Sequence, residues 1–422
     1  MSALTDFLKT EQFTATVQVL LYPNTGGWYM GGQLIWDGPI DITEYLAQDC
    51  LNSLSAAEGI IDTSQGSGGQ MVDQLNMVFD NTTGVFDEVG PLFAGNILNN
   101  SKVVITSSYK TFTKDSLGVL VPTVIASYVF TGLIKSLVSS YSVTYRKFNA
   151  GVVSAGNVLV SAKAKNALTG STLKDALVYY LQNPDGGELF LPRLIISMMY
   201  ITPVNITFGV SDAITYNQDT ADEGIDILDL INQCCFATNS IWRIAQNGDF
   251  IIEPINNTGA SVWDLTPDDI ISVDDISAFP LQYTELYWND GDPSLALLCW
   301  AAMAADERGG FGYDLITKTI TLKWLDADVS VTYRQSLLDQ VFAQVKHKHR
   351  QITITTKCNT ELYPNQIITI DHPQQAGKNT MVIDPSIKWR VLTVRRNINL
   401  APCMQIIAVQ AGTGPDANLD GT

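Results

Sequence analysis

The runs Leu75-Asn76-Met77-Val78-Phe79 and Tyr128-Val129-Phe130-Thr131-Gly132-Leu133-Ile134, with the turn Asp80-Asn81-Thr82-Thr83-Gly84 after the first, decide how this chain folds. Between them, Val85-Phe86, Leu92-Phe93-Ala94-Gly95 and Val103-Val104-Ile105 supply short β-rich segments. The Asn, Asp and Gly residues separating these apolar runs are what chain reversals need. Leu75 to Leu137 therefore predicts a β-barrel or compact sheet rather than a helical domain.

Outward from this stretch the β pattern continues. Gln12 to Leu21 predicts an opening strand before the Pro23-Asn24-Thr25-Gly26-Gly27 turn, with Trp28 and Tyr29 behind it. Tyr141, Val143 and Tyr145 share one strand face, and Val158, Val160, Ala162 and Ala164 repeat the pattern, so a first β-domain is expected to end near Lys165. A helix follows, with Ser171 or Thr172 as its cap. A second helix is expected over Ala221 to Ala237, where Asp222, Glu223 and Asp226 in the first turns suit the helix dipole. Asn247-Gly248 between two apolar runs signals a tight hairpin. Beyond Asp292-Pro293-Ser294 the Ala- and Leu-rich composition predicts a helix to about Ala305, and another helix is expected over Arg334 to Lys346. The last third reads as strands at Gln351–Thr355, Gln366–Ile370, Trp389–Val394 and Met404–Gln410, with a loose tail from Ala411 to Thr422.

Composition bounds the answer. With 422 residues, 46% hydrophobic and 16% charged, the chain can bury a sizeable core, and its length predicts roughly two to four domains. Its longest apolar approach, Val119 to Ile134, is interrupted by Pro122 and hydroxyl residues, so no membrane span is expected. The opening Met1-Ser2-Ala3-Leu4-Thr5-Asp6 carries no signal-peptide pattern. The cysteines (Cys50, Cys234, Cys235, Cys299, Cys358, Cys403) have no CxxC spacing and read as free thiols of a reducing compartment.

The formal charge of −18 is unevenly spread: 166–280 holds 16 acidic against 3 basic residues, while 281–422 is near balance with 14 and 13. An acidic surface repels phosphates, which disfavours a role in gripping DNA. The carboxylates Asp264, Asp268, Asp269, Asp274 and Asp275 crowd one short stretch, as a solvated face would, and acid–base catalysis would need two of them across a cleft. His347 and His349 cannot share a helical face and, with Lys346, Lys348 and Arg350, suit a helix C-terminus. The Gly-rich run Gln65–Gln70 lacks the Lys-Ser/Thr of a phosphate loop and reads as a flexible loop. Asp416–Gly421 matches only the first half of a calcium loop. Nucleophile-elbow, HExxH and dinucleotide motifs are absent, so no catalytic, cofactor or metal residue is assigned.

A strand ending in Phe79-Asp80-Asn81, a Gly84 turn followed by Phe86, and the strand Phe130-Thr131-Gly132-Leu133-Ile134 together resemble the hub proteins of bacteriophage tails. Later segments fall in that family's order: the helix-then-hairpin unit ending in Asn247-Gly248-Asp249-Phe250-Ile251-Ile252, the run Leu281–Trp288, and Leu362-Tyr363-Pro364-Asn365-Gln366-Ile367-Ile368-Thr369-Ile370. The resemblance implies a mainly β fold with α+β insertions. Two tail-tube-like β-barrel domains, 1–165 and 270–410, would flank a small α+β module at 166–269, with 411–422 a flexible tail. It further implies a non-enzymatic homotrimer without cofactors, in the tail of a virion assembled in host cytoplasm. Such a trimer joins a tail tube or distal tail ring to a spike, fibre or tip protein and lets DNA pass without specific binding. Asp222, Glu223, Asp226, Asp264, Asp268, Asp269, Asp274 and Asp275 form a candidate acidic interaction surface, opposite a basic one of Lys388, Arg390, Arg395 and Arg396 on a neighbour. The competing expectations are a hexameric distal tail protein and a glycan-binding or hydrolytic tail protein or adhesin, whose sugar platform would draw on the 8 Trp and 16 Tyr.

Overall fold

The computed structural model describes residues 14–22, 28–30, 33–36, 39–47, 55–59, 74–86, 101–141, 146–154, 163–164, 168–182, 204–209, 215–218, 225–245, 250–278, 283–288, 299–302, 317–320, 330–346, 350–372, 385–397 and 403–411. Among the described residues strands dominate, and the α-helices α1 (Leu173–Gln182), α2 (Ile227–Ala237) and α3 (Val331–Val345) share one core in a middle unit between two large sheets.

The first sheet is six-stranded and antiparallel, in the order Ile40–Asp41, Thr14–Tyr22, Lys102–Lys114, Leu120–Tyr141, Arg146–Ser154 and Gln74–Asp80. Leu75, Met77 and Phe79 are buried while Asn76 and Asp80 face solvent, the period-two signature of a half-buried strand. Phe86 fills the centre of this core, stacked on Phe148 at 5.1 Å and tilted against Phe79 at 5.0 Å. The turn places it there: the Asn81 side chain accepts from the Phe86 backbone N–H at 2.9 Å, and Gly84 takes a left-handed φ of 71° that a larger residue resists. Gly132 has a different reason, since a Cβ there would come within 2.7 Å of both the Val152 side chain and the Val153 carbonyl. Leu46 bridges to Phe79, and Ala47 N–H donates to the Val78 carbonyl at 2.9 Å. These contacts draw the sheet's two edges together into a curled, barrel-like wall.

The second large sheet runs in the order Trp263–Leu265, Ile367–Ile370, Lys388–Asn397, Cys403–Gln410, Arg350–Lys357 and Ile270–Ala278. Its core gathers Trp263, Leu265, Ile352, Ile354, Ile368, Trp389, Val391, Val394 and Ile406. The turn 266–269 joins its two edge strands, so this wall curls as well. Ser55–Gly59, from the N-terminal part of the chain, pairs with residues 393–397 as an added strand.

The middle core crosses the expected boundary at 269/270. Residues of α1 and α2 share one apolar cluster with Leu286, Trp288, Cys299, Ala301, Leu337, Leu338, Val341 and Phe342, while Trp263 and Leu265 belong to the second sheet. We therefore propose that the unit between the two walls includes Glu285–Trp288, Cys299–Ala302 and Val331–Val345 as well as α1, α2 and the strands beside them. The helix expected to about Ala305 is corrected at 299–302, which form a strand paired with Glu285–Trp288. Buried Cys299 and Ala301 alternate there with exposed Trp300, so period two overrides Ala-rich helix propensity. The helix expected from Ala221 starts at Ile227, because Ile225-Asp226 pairs with Lys163-Ala164 and the Asp226 carboxylate caps α2 by accepting from Asp229 N–H at 3.2 Å. Thr172 caps α1 similarly, accepting from Asp175 N–H at 3.1 Å.

Candidate interface

The acidic candidates divide by the work they do inside the chain. Asp269 is fully buried and accepts from the backbone and hydroxyl of Thr266 at 2.9 and 2.6 Å, so it shapes the turn between the edge strands. Asp226 is the cap of α2. Asp264, Asp268 and Asp274 are exposed. Thr369 donates its hydroxyl to Asp264 at 2.5 Å, and that bond is the main reason the carboxyl lies below its usual pKa. The Ser272 hydroxyl does the same for Asp274, helped by Thr355 at 2.8 Å. Both carboxylates stay ionised on the outer face. Asp275 lies in the Ile270–Ala278 strand, backbone-paired with Thr353, while Asp222 and Glu223 lie outside the described residues.

The basic candidates are more deeply committed. Lys388 Nζ donates to the Gly259 carbonyl at 2.9 Å, and Arg390 donates to the Asn257 side chain at 2.8 Å, with burial lowering its pKa to about 10. Arg396 is 1% exposed, which removes it from any surface. Its guanidinium donates to the carbonyls of Asn359 and Leu362 and lies 4.7 Å from the centre of the Tyr128 ring, so it couples the second wall to the first. Near it, burial pushes the Cys358 thiol up to about 11. Of the four basic candidates, Arg395 is the exposed one.

A further junction ties the middle unit to the second wall. Arg243 pairs with Glu253 at 3.3 Å and stacks 3.9 Å from the centre of the Tyr363 ring. The Asn365 side chain donates to Glu253 at 3.1 Å and to the Pro254 carbonyl at 2.9 Å, and accepts from Asn256 N–H at 2.9 Å. Asn365 holds a φ of 72°, a left-handed conformation Asn tolerates better than most residues.

Sequence reasoning missed an arm. Residues 112–124, around the turn joining Lys102–Lys114 to Leu120–Tyr141, are exposed without interruption, and Leu117 at the tip is 85% exposed. The available signal was Val119-Leu120-Val121 beside Lys114 and Asp115, an apolar run whose Pro122 suits an edge. Among the described residues no three His, Cys, Asp or Glu side chains converge as a metal site, and no helix is long and apolar enough to cross a membrane.

No protein-family model matches the sequence, and no curated protein matches it either. Solved structures do. The tail protein from Neisseria meningitidis MC58 superposes with a TM-score of 0.55 over 96% of this chain and 98% of that one, at 10% identity. The 43 kDa tail protein of prophage MuSo2 from Shewanella oneidensis gives 0.50 over 93% and 98%, at 11% identity. With both walls and the middle unit inside the aligned length, this chain has the fold of phage tail proteins, mainly β with two tail-tube-like walls flanking an α+β unit.

Proposed function

We propose that the chain is a structural hub of a phage tail tip or baseplate. Three copies, each with two curled β-walls, present six near-equivalent segments to a sixfold tail tube and leave a channel through which DNA passes. The opposite side offers threefold symmetry to a spike, fibre or tip protein. The observation that carries this reading is the pairing of two separate curled walls, 14–154 and 263–410, within one chain that has a tail-protein fold. Their mutual fixing through Arg396 and Tyr128 supports it, since paired ring segments must keep one relative orientation. The role is mechanical and needs no catalytic residue. Exposed Asp264, Asp268 and Asp274 are proposed as part of the surface that meets a basic neighbour. Native mass spectrometry of the purified chain tests the copy number: the reading expects three times the 46.1 kDa chain, whereas six copies favour a distal tail ring.

A further inference from the structure

We propose that the 112–124 arm docks on a second copy of this chain, at the acidic edge of its second wall around Val262, Asp264, Asp268, Ile271 and Asp274. This rests on the trimer reading and names the contact that closes the ring.

The arm is a two-stranded ribbon. Its last pairing with the Thr14–Tyr22 strand is Thr14 with Lys110, so from Thr111 outward no third strand supports the Lys102–Lys114 side among the described residues. Such ribbons are marginal in water unless a face is covered. The register places Lys110 opposite Val124, Phe112 opposite Pro122 and Lys114 opposite Leu120, so these six residues share one face. That face is apolar and cationic, with Phe112 48% exposed. The reverse face carries Thr111, Thr113, Thr123 and Val121, with the Thr113 and Thr123 hydroxyls 2.8 Å apart. Asp115, the acid of the turn, accepts from Leu117 and Val119 N–H at 2.9 and 2.8 Å and is held in the bend.

The receiving edge has the opposite character. Val262 and Ile271 are 48% and 59% exposed, and Asp264, Asp268 and Asp274, exposed as well, lie on the same two edge strands and the turn between them. Apolar residues bordered by lysine thus meet apolar residues bordered by carboxylate, on a chain whose net charge of −18 makes a basic ribbon unusual on its surface. Arm and edge are different patches on different walls, which is what a heterologous contact propagating around a ring requires.

The experiment is sedimentation analysis of the full chain over a concentration series, with circular dichroism confirming each variant's fold. K110E/K114E is expected to raise the dissociation constant for self-association about tenfold or more. The combined variant K110E/K114E/D264K/D268K is expected to restore it. A trimer indifferent to the arm reversal, or a combined variant no better than K110E/K114E, overturns the docking and leaves the trimer reading standing. A wild-type chain that stays monomeric also overturns it, and the trimer is then judged in assembled particles. Binding to phosphatidylserine vesicles that is lost on Leu117→Asp would assign the arm to a lipid surface instead.

Discussion

The two β-walls solve the same problem differently. The first is held by apolar packing around Phe86 and then throws a ribbon into solvent. The second adds polar ties to its apolar core: Arg396 to main-chain carbonyls, Asn365 to the 253–256 segment, and Lys388 to the 258–259 loop. Apolar packing tolerates an open end because the buried part of the same two strands anchors the ribbon that extends from it. Polar ties depend on several partners at once, and they appear where separate units must keep a fixed orientation.

Four perturbations sharpen or break this contrast. Phe86→Ala removes the central ring of the first wall and is expected to cost about 3–5 kcal/mol, read by denaturant unfolding. A cost near zero would mean the first wall is not organised around its turn. Asn365→Ala combines left-handed strain with three lost hydrogen bonds and should cost about 2–3 kcal/mol, whereas Asn365→Gly relieves the strain and should recover part of that loss. Equal losses in the two variants would remove strain from the explanation.

Cys358 gives a pH test of the junction between the walls. Its pKa rises from 9.0 to about 11 in the folded chain through burial, partly offset by Arg396, so the folded state holds the thiol proton more tightly than the unfolded state. The associated stability is fully present below pH 9 and is lost as pH climbs through about 11. Cys358 should contribute about 3 kcal/mol of the decline, and Cys358→Ala should lose that share while buried Cys235 and Tyr109 keep the rest. A pH-independent wild type over that interval would contradict burial of the thiol. The smallest effect is expected at the arm, where Leu117→Ser should change monomer stability by about 0.5 kcal/mol or less because the side chain touches little.

How much was legible in the sequence follows from the range of each interaction. The Asp80–Gly84 turn, the Gly132 strand and the cap at Thr172 are local, and local patterns located them. Arg396 was read as surface because a strand charge ordinarily faces water. The register shift between Val391 and Thr393 inverts the alternation, turning Arg396 inward with Val394 and leaving Arg395 outside. Asn365 could be recognised as a turn residue after Pro364, yet its partners lie more than a hundred positions away in sequence. The strand at 299–302 was misread because its short alternation is outweighed by Ala-rich surroundings. Of the acidic cluster, composition could not separate buried Asp269 from exposed Asp264, Asp268 and Asp274, since the distinction depends on which carboxylate closes the 266–269 turn.

The most direct test of the hub account is a three-dimensional image of the assembled tail tip in which each copy of the chain is traced. The account predicts threefold symmetry with both walls of every copy lining one ring, six segments around a central channel. A ring with sixfold symmetry, or one in which each copy contributes a single wall, would contradict it.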